Sequence, residues 1–247
     1  MFVPGQFQFV VSSIADVPAN ALIPHGKFGV IAVPQQVAER FGGSVSDMFP
    51  ELARDFPKTV KSMESYWSKP KLAITDMGRG WLATLFLEQE ALNLFLDDPH
   101  PIYADEAYFD VSMMPLRWVG LYRSMSSFCI TDRSTYSPLG WSNTPLPRSM
   151  DIDQFSTQTD TKMAKLKAFE KQLGVSQERK LRCWMITDGG DSLWIDEQHG
   201  DKKVHHVHAD AFADAHVLRN PDSMLDHYMA HVLEGGAPKE FEFRLSY

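Results

Sequence analysis

The sequence is poor in cysteine and has no long apolar run. Its 247 residues include only two cysteines, Cys129 and Cys183, too few for a disulfide framework and without the paired spacing of a zinc site. No apolar run approaches the roughly 18 residues that a membrane-spanning helix requires. The first residues, MFVPGQFQFVV, lack the basic start of a signal peptide. We therefore expect a soluble, cytoplasmic protein that does not bind a membrane.

Basic residues are also scarce. Lysine and arginine together number 24 against 32 aspartates and glutamates, which gives a formal net charge of −8. Nucleic-acid phosphates are bound by clustered lysines and arginines, so this balance disfavours a nucleic acid as partner. A protein with a basic surface is the partner that an acidic chain fits electrostatically.

The motifs of common catalytic sites are missing as well. The chain has no GxSxG elbow, no P-loop and no SxxK motif. Gly78, Gly80 and Ala83 form a GxGxxA pattern, which would open a nucleotide-binding helix after a strand. The residues after that helix, DDPHPIYADEAYF, do not form the buried strand that such a fold requires. We rank nucleotide binding third among the functions considered and expect no cofactor.

A change of composition near the middle of the chain predicts two domains. The segment SNTPLPRSMDIDQFSTQTDT, residues 142–161, is rich in proline, serine, threonine and aspartate and has no apolar period, which is typical of a linker. We therefore predict a mixed α/β domain of unassigned type over residues 1–150 and an α+β domain over residues 151–247.

The N-terminal half predicts a mixture of strands and helices. Strands are expected at 7–11, 28–33 and 126–132. Residues 44–67 carry apolar side chains at steps of three and four, so they predict a helical stretch that its prolines break into pieces. The apolar segment 78–96, which begins with glycine, gives the clearest helix prediction of this half.

The C-terminal half predicts an antiparallel sheet flanked by helices, which is α+β architecture. Helices are expected at 160–173 and, with Pro221 in its first turn, at 220–236. The alternating segment 240–245 predicts a last strand. Three further strands, joined by short turns that suit hairpins, are predicted at 181–188, 191–198 and 202–210.

Histidines are concentrated in KKVHHVHAD, residues 202–210, which holds three of the nine histidines of the chain. Because strand side chains alternate between faces, His206 and His208 share one face and could bind one metal ion. A catalytic site would need a third ligand, and no spacing assigns one. We interpret the histidines as surface groups of a strand, and a metal-dependent hydrolase using His206 and His208 is the alternative. His227 and His231 form an i, i+4 pair without the glutamate of an HExxH site, which predicts an exposed helix face.

Residues 186–236 resemble the C-terminal half of SUKH domains of the SMI1/KNR4 type. In that layout a strand ends in a "gdGd" turn, here 188–191, and leads to a second strand, here 193–196. A third strand carrying histidine and aspartate, here 204–210, precedes a closing helix that begins near Ser223. The resemblance implies an immunity protein of a bacterial polymorphic-toxin, contact-dependent or type VI secretion system. Such a protein binds a cognate toxin, often a nuclease, and blocks it without catalysis.

An inhibitor of a basic cleft needs rigid carboxylates beside aromatic anchors, because anchors supply affinity and charges steer association. The hairpin of the second domain offers this combination around Trp194. Its predicted partner-binding residues are Asp188, Asp191, Trp194, Asp196 and Glu197. A second candidate patch comprises Asp97, Asp98, Asp105, Glu106 and Asp110 around Tyr103 and Tyr108.

Overall fold

The structure of the protein is a computed structural model that describes part of the chain. The described residues are 9–12, 16, 40–76, 81–90, 92–96, 117–118, 121, 128–132, 139–141, 181–186, 191–196, 203–208 and 211–243. They form an α+β protein with helices and two antiparallel sheets, one of which lies in the C-terminal region. The predicted fold class is confirmed. The predicted strand at 28–33, linker at 142–161 and helix at 160–173 lie outside the described residues, as does the boundary at residue 150.

Three short helices occupy the stretch in which a proline-broken helix was predicted, and this prediction is confirmed. They are α1 (Val45–Met48), α2 (Pro50–Asp55) and α3 (Pro57–Tyr66). Proline starts both α2 and α3, where its missing N–H is not needed by the helix. Ser44 and Asp47 close a capping box at the start of α1, in which each side chain accepts the other's backbone N–H.

The first sheet is a six-stranded antiparallel meander in which each strand pairs with the next one along the chain. Its strands are β1 (Phe9–Val11), β2 (Lys71–Asp76), β3 (Trp81–Gln89), β4 (Leu92–Leu96), β5 (Phe128–Asp132) and β6 (Leu139–Trp141). The strands predicted at 7–11 and 126–132 are confirmed within these bounds.

The helix predicted at 78–96 is wrong, because this segment forms the hairpin β3–β4, with Leu85 opposite Leu96 and Leu87 opposite Leu94. Leu85 and Leu87 enter the main core, whereas Phe86 between them is buried against Ala73 on the opposite face. A strand buried on both faces is continuously apolar and does not alternate. Since Ala83 lies within β3, no helix begins at the GxGxxA pattern, and the nucleotide-binding prediction loses its structural basis.

The second sheet is a four-stranded antiparallel meander close to the C-terminus. Its strands are β7 (Leu181–Ile186), β8 (Ser192–Asp196), β9 (Val204–His208) and β10 (Ala211–Val217). The three strands predicted for this region are confirmed, and β10 is an additional strand that the sequence analysis did not predict. The register between β9 and β10 shifts between Ala211 and His216.

Helix α4 (Pro221–Leu233) follows the second sheet and confirms the helix predicted at 220–236. Asn220 caps it through its side chain, which accepts the Ser223 N–H. The strand predicted at 240–245 is wrong for the described residues, because Pro238–Glu240 form a 3₁₀ turn and 241–243 join no sheet. The alternation that suggested a strand arises because Phe241 and Phe243 are both buried against Tyr228.

One hydrophobic core connects the helices with both sheets. The helices at the N-terminal side contribute Leu52 of α2, Met63 of α3 and Phe56, which lies between these two helices. The first sheet contributes Leu87 and Leu94, the second sheet contributes Leu193 and Val204, and α4 contributes Leu225 and Met229. The described core therefore draws on both sides of the predicted domain boundary. No helix among the described residues is long and apolar enough to cross a membrane.

Candidate functional site

Two of the five predicted partner-binding residues have described side chains, and both are buried. Trp194 is 2% exposed and its indole N–H donates to Ser192 Oγ at 2.8 Å. Asp191 is 7% exposed. Neither side chain is therefore presented at the surface, as an anchor and a steering charge would have to be. Asp188 and Glu197 lie outside the described residues, as do the side chain of Asp196 and the second patch at 97–110, so for these residues the prediction stays a prediction.

The histidine-rich strand is also more buried than predicted. Strand β9 lies between β8 and β10, and its first four residues, including His205 and His206, are buried. Only His208 at its end is exposed. The interpretation of all three histidines as surface groups is thus wrong for His205 and His206. Neither the additional strand β10, whose His216 ring meets His206, nor the packing of Phe243 on the His206 ring was predicted from the sequence.

His206 lies in a buried aromatic setting. Its ring stacks on Phe243 at a centroid distance of 4.6 Å and meets the His216 ring edge-on at 4.9 Å. Its Nε2 atom is 3.5 Å from Asp191 Oδ2. Burial lowers the pKa of His206, and the nearby Asp191 carboxylate opposes that shift without reversing it. The site therefore favours a neutral imidazole.

The alternative of a metal-dependent hydrolase required His206 and His208 to share one metal ion. His206 is buried while His208 is exposed, so the two rings lie in different environments. In the described part of the chain, no three histidine, cysteine, aspartate or glutamate side chains are placed to hold a metal ion.

A groove of about 730 Å³ runs along the surface between α3, α4 and the segment 240–242. Helices α3 and α4 run in the same direction: Thr59 near the start of α3 contacts Asp226, and Trp67 after its end contacts Leu233. The volume falls within the range of roughly 300–1,000 Å³ that is usual for ligand sites in proteins.

Basic and imidazole side chains line part of the groove. Lys58 and Lys61 of α3 are exposed there, and the Lys58 ammonium contacts His227 Nε2. His227 Nδ1 lies 2.7 Å from the Ser223 carbonyl oxygen. With its proton on Nδ1, the ring donates to that carbonyl and accepts from Lys58 through Nε2. The two lysines bring positive charge to the groove.

Carboxylates and an exposed aromatic ring also line the groove. Glu234 follows α4, and Glu240 and Glu242 belong to the C-terminal segment; all three are exposed. Ser62 Oγ donates to Glu234 Oε1 at 2.7 Å and holds that carboxylate against α3. Tyr66, at the end of α3, is 51% exposed. The groove thus offers negative charge, in part held by a hydrogen bond, together with an aromatic surface.

The walls of the groove are fixed by polar contacts between its two helices. Phe56, the N-cap residue of α3, makes no side-chain capping bond. The Asp226 carboxylate of α4 takes this role and accepts the backbone N–H groups of Lys58 at 3.1 Å and Thr59 at 2.8 Å. At the other end the Trp67 indole N–H donates to the Leu233 carbonyl at 3.1 Å. The groove is therefore held at both ends.

Sequence reasoning did not find this groove, although it predicted an exposed helix face at His227 and His231. Both rings are partly exposed and line the groove, and His231 Nε2 lies 3.1 Å from the Ala237 carbonyl oxygen. The polar face of α3 was the other feature of the sequence that could have indicated this groove. Comparisons of the chain with known protein families, with curated proteins and with solved structures found no match.

Proposed function

We propose that the protein is an immunity protein, which binds a cognate bacterial toxin and neutralises it without catalysis. The order of its C-terminal elements supports this proposal. Strand β7 precedes residues 188–191, β8 carries 193–196, β9 carries the histidines, and α4 closes the unit. This is the order of the SUKH layout that the sequence resembles, with β10 as an additional strand before the helix.

The observation that carries the proposal is the set of exposed carboxylates that line the groove. Glu234, Glu240 and Glu242 line the same groove as the exposed ring of Tyr66. Such carboxylates steer a basic partner toward the site, and a tyrosine is among the residues that most often anchor a protein interface. The net charge of −8 acts in the same direction over longer distances. Toxins that cleave nucleic acids have basic substrate clefts and fit this description of the partner.

The test is neutralisation of a toxin by the whole chain. Toxic proteins encoded beside the gene, including effectors of a type VI secretion system, are produced in bacteria with and without this protein. We expect growth to be restored by one of them, and the purified pair to elute as one complex whose association slows as salt is added. Growth inhibition that persists for every neighbouring toxin would contradict the proposal.

A further inference from the structure

We infer that Lys58 is an acylation site, whose amine accepts a small activated acyl group from an acyl phosphate or an acyl thioester with His227 as the general base. Lys58 is exposed and lines the groove between α3 and α4, so a small molecule can reach its ammonium. That ammonium contacts Nε2 of His227, which lines the same groove. A lysine becomes a nucleophile only after its ammonium has lost a proton, and an imidazole nitrogen in contact with it is suited to take that proton.

The ring of His227 is held in the tautomer that this role requires. Its Nδ1 atom lies 2.7 Å from the carbonyl oxygen of Ser223, one turn earlier on α4. Because a carbonyl oxygen only accepts hydrogen bonds, Nδ1 carries the proton and Nε2 presents its lone pair to the Lys58 ammonium. Nucleophile, base and orienting group thus follow one another, as they do in activated nucleophiles generally.

The amine and its base belong to different helices, which a hydrogen-bonded carboxylate beside them joins. Asp226, the neighbour of His227 on α4, accepts the backbone N–H groups of Lys58 at 3.1 Å and Thr59 at 2.8 Å, and also the Thr59 hydroxyl. The backbone of Lys58 is therefore anchored to the residue that precedes the base. Lys61, one turn further along α3, is also exposed and lines the groove, but among the described residues it contacts no imidazole.

The reaction needs no oxidant or reductant. The Lys58 ammonium transfers one proton to His227 Nε2, which leaves a neutral amine and an imidazolium. The amine nitrogen then attacks the acyl carbon, so that a C–N bond forms and the bond from that carbon to the phosphate oxygen or the thiol sulfur breaks. The leaving group keeps the electron pair of the broken bond and takes up a second proton from the nitrogen. The imidazolium returns its proton to water, and the products are an amide and a free phosphate or thiol.

The experiment compares lysines within the full wild-type chain. The protein is incubated with acetyl phosphate, and the acetylated fraction of each lysine is followed over time by peptide mass spectrometry. Lys61 and Lys69 are the references, since both are exposed. A positioned base contributes roughly 10²–10⁴-fold in enzymes, and for an exposed lysine we expect Lys58 to react about tenfold faster than either reference. A rate at Lys58 less than about twice that of Lys61 would overturn the inference.

Two matched variants test the base. His227→Gln keeps a hydrogen-bond acceptor for the ammonium but removes the base, so the rate at Lys58 should fall about tenfold while the rates at Lys61 and Lys69 stay the same. The control is His231→Gln, because His231 Nε2 lies 3.1 Å from the Ala237 carbonyl oxygen, donates to it and has no lone pair to offer. An unchanged rate at Lys58 in His227→Gln, or an equal fall in His231→Gln, would refute the role of His227. The comparison within the wild-type chain decides the inference should His227→Gln fail to fold.

Parallel incubations with acetyl phosphate and acetyl coenzyme A distinguish the two sources of the acyl group. Selective acetylation of Lys58 by only one of them identifies the acyl phosphate or the thioester as the donor, and selectivity with both shows that the acyl group itself is sufficient. Absence of selectivity with either donor overturns the inference. Acylation removes the positive charge of Lys58 from a groove that Lys61 and three glutamates also line. The incubations contain this protein alone, so their outcome is independent of whether the chain neutralises a toxin.

Discussion

Replacing Asp226 with alanine should destabilise the protein far more than its place on a helix suggests. The side chain is 5% exposed and belongs to α4, but its hydrogen bonds all go to the first turn of α3. Besides the N–H groups of Lys58 and Thr59, it accepts the Thr59 hydroxyl at 2.8 Å. One carboxylate thus caps a helix and satisfies a buried hydroxyl that lies 167 positions away in sequence.

The magnitude follows from the groups that lose their acceptor. Loss of a helix N-cap costs about 1 kcal/mol. A buried donor left without a partner costs about 1–3 kcal/mol, and Thr59 is fully buried with both its N–H and its hydroxyl facing Asp226. We expect Asp226→Ala to lower the free energy of unfolding by about 3 kcal/mol. Asp226→Asn keeps one acceptor oxygen, so its loss should be about half as large.

The assay is urea unfolding followed by circular dichroism at constant pH. Asp222→Ala is the matched control, since Asp222 lies one turn earlier on α4 and, among the described residues, its carboxylate has only an ion pair of 3.9 Å to Arg117. That control should change the free energy of unfolding by less than about 1 kcal/mol. Thr59→Val should lower the free energy of unfolding by about 1 kcal/mol when made alone, and should change it very little in the Asp226→Ala background. A loss below 1 kcal/mol for Asp226→Ala, or additive effects of the two changes, would refute the capping role.

Three further predictions concern stability. Because burial lowers the pKa of His206, the unfolded chain binds a proton on this imidazole more readily than the folded chain does. The free energy of unfolding should therefore fall as the pH drops below about 6.5. His206→Phe should reduce this pH dependence when urea unfolding is measured at pH 5.5 and 7.5. A methyl group on Gly236 would overlap the His231 ring, so Gly236→Ala should cost about 1–2 kcal/mol, and an unchanged melting temperature would contradict the contact. Trp67→Phe removes the donor to the Leu233 carbonyl and should cost about 1–2 kcal/mol, whereas exchange of the exposed Tyr66 for phenylalanine should have little effect.

The sequence predicts those elements that local signals delimit. Pro50 and Pro57 divide the helical stretch where the helices α2 and α3 begin, and Asn220 with Pro221 marks the start of α4. These residues act on the backbone through a missing N–H or a capping bond, so their effect is independent of the rest of the fold. The hairpin turns between the strands of the second sheet are signals of the same local kind.

The hairpin β3–β4 could not be predicted in this way, because its pattern depends on what covers it. Leu85 and Leu87 pack in the main core while Phe86 packs on the other face with Ala73, and the resulting apolar run suits a buried helix as well as a buried strand. The same cause misled the interpretation of β9. Its histidines look polar in the sequence, but β10 covers the outer edge of the strand, and His206 is enclosed with Phe243.

The groove depends even more on tertiary structure, since its two helical walls come from residues more than 160 positions apart. The sequence predicted that His227 and His231 are exposed, but it did not predict that α3 lies opposite them. The Asp226 cap links this geometry to the core: it fixes the backbone of Lys58, whose side chain lines the groove. The direction of α3 along α4 then places Trp67, which follows Tyr66, beside Leu233, which precedes Glu234. The groove is therefore a consequence of packing two helices in parallel, and a protein that loses this cap should lose the alignment of the two walls.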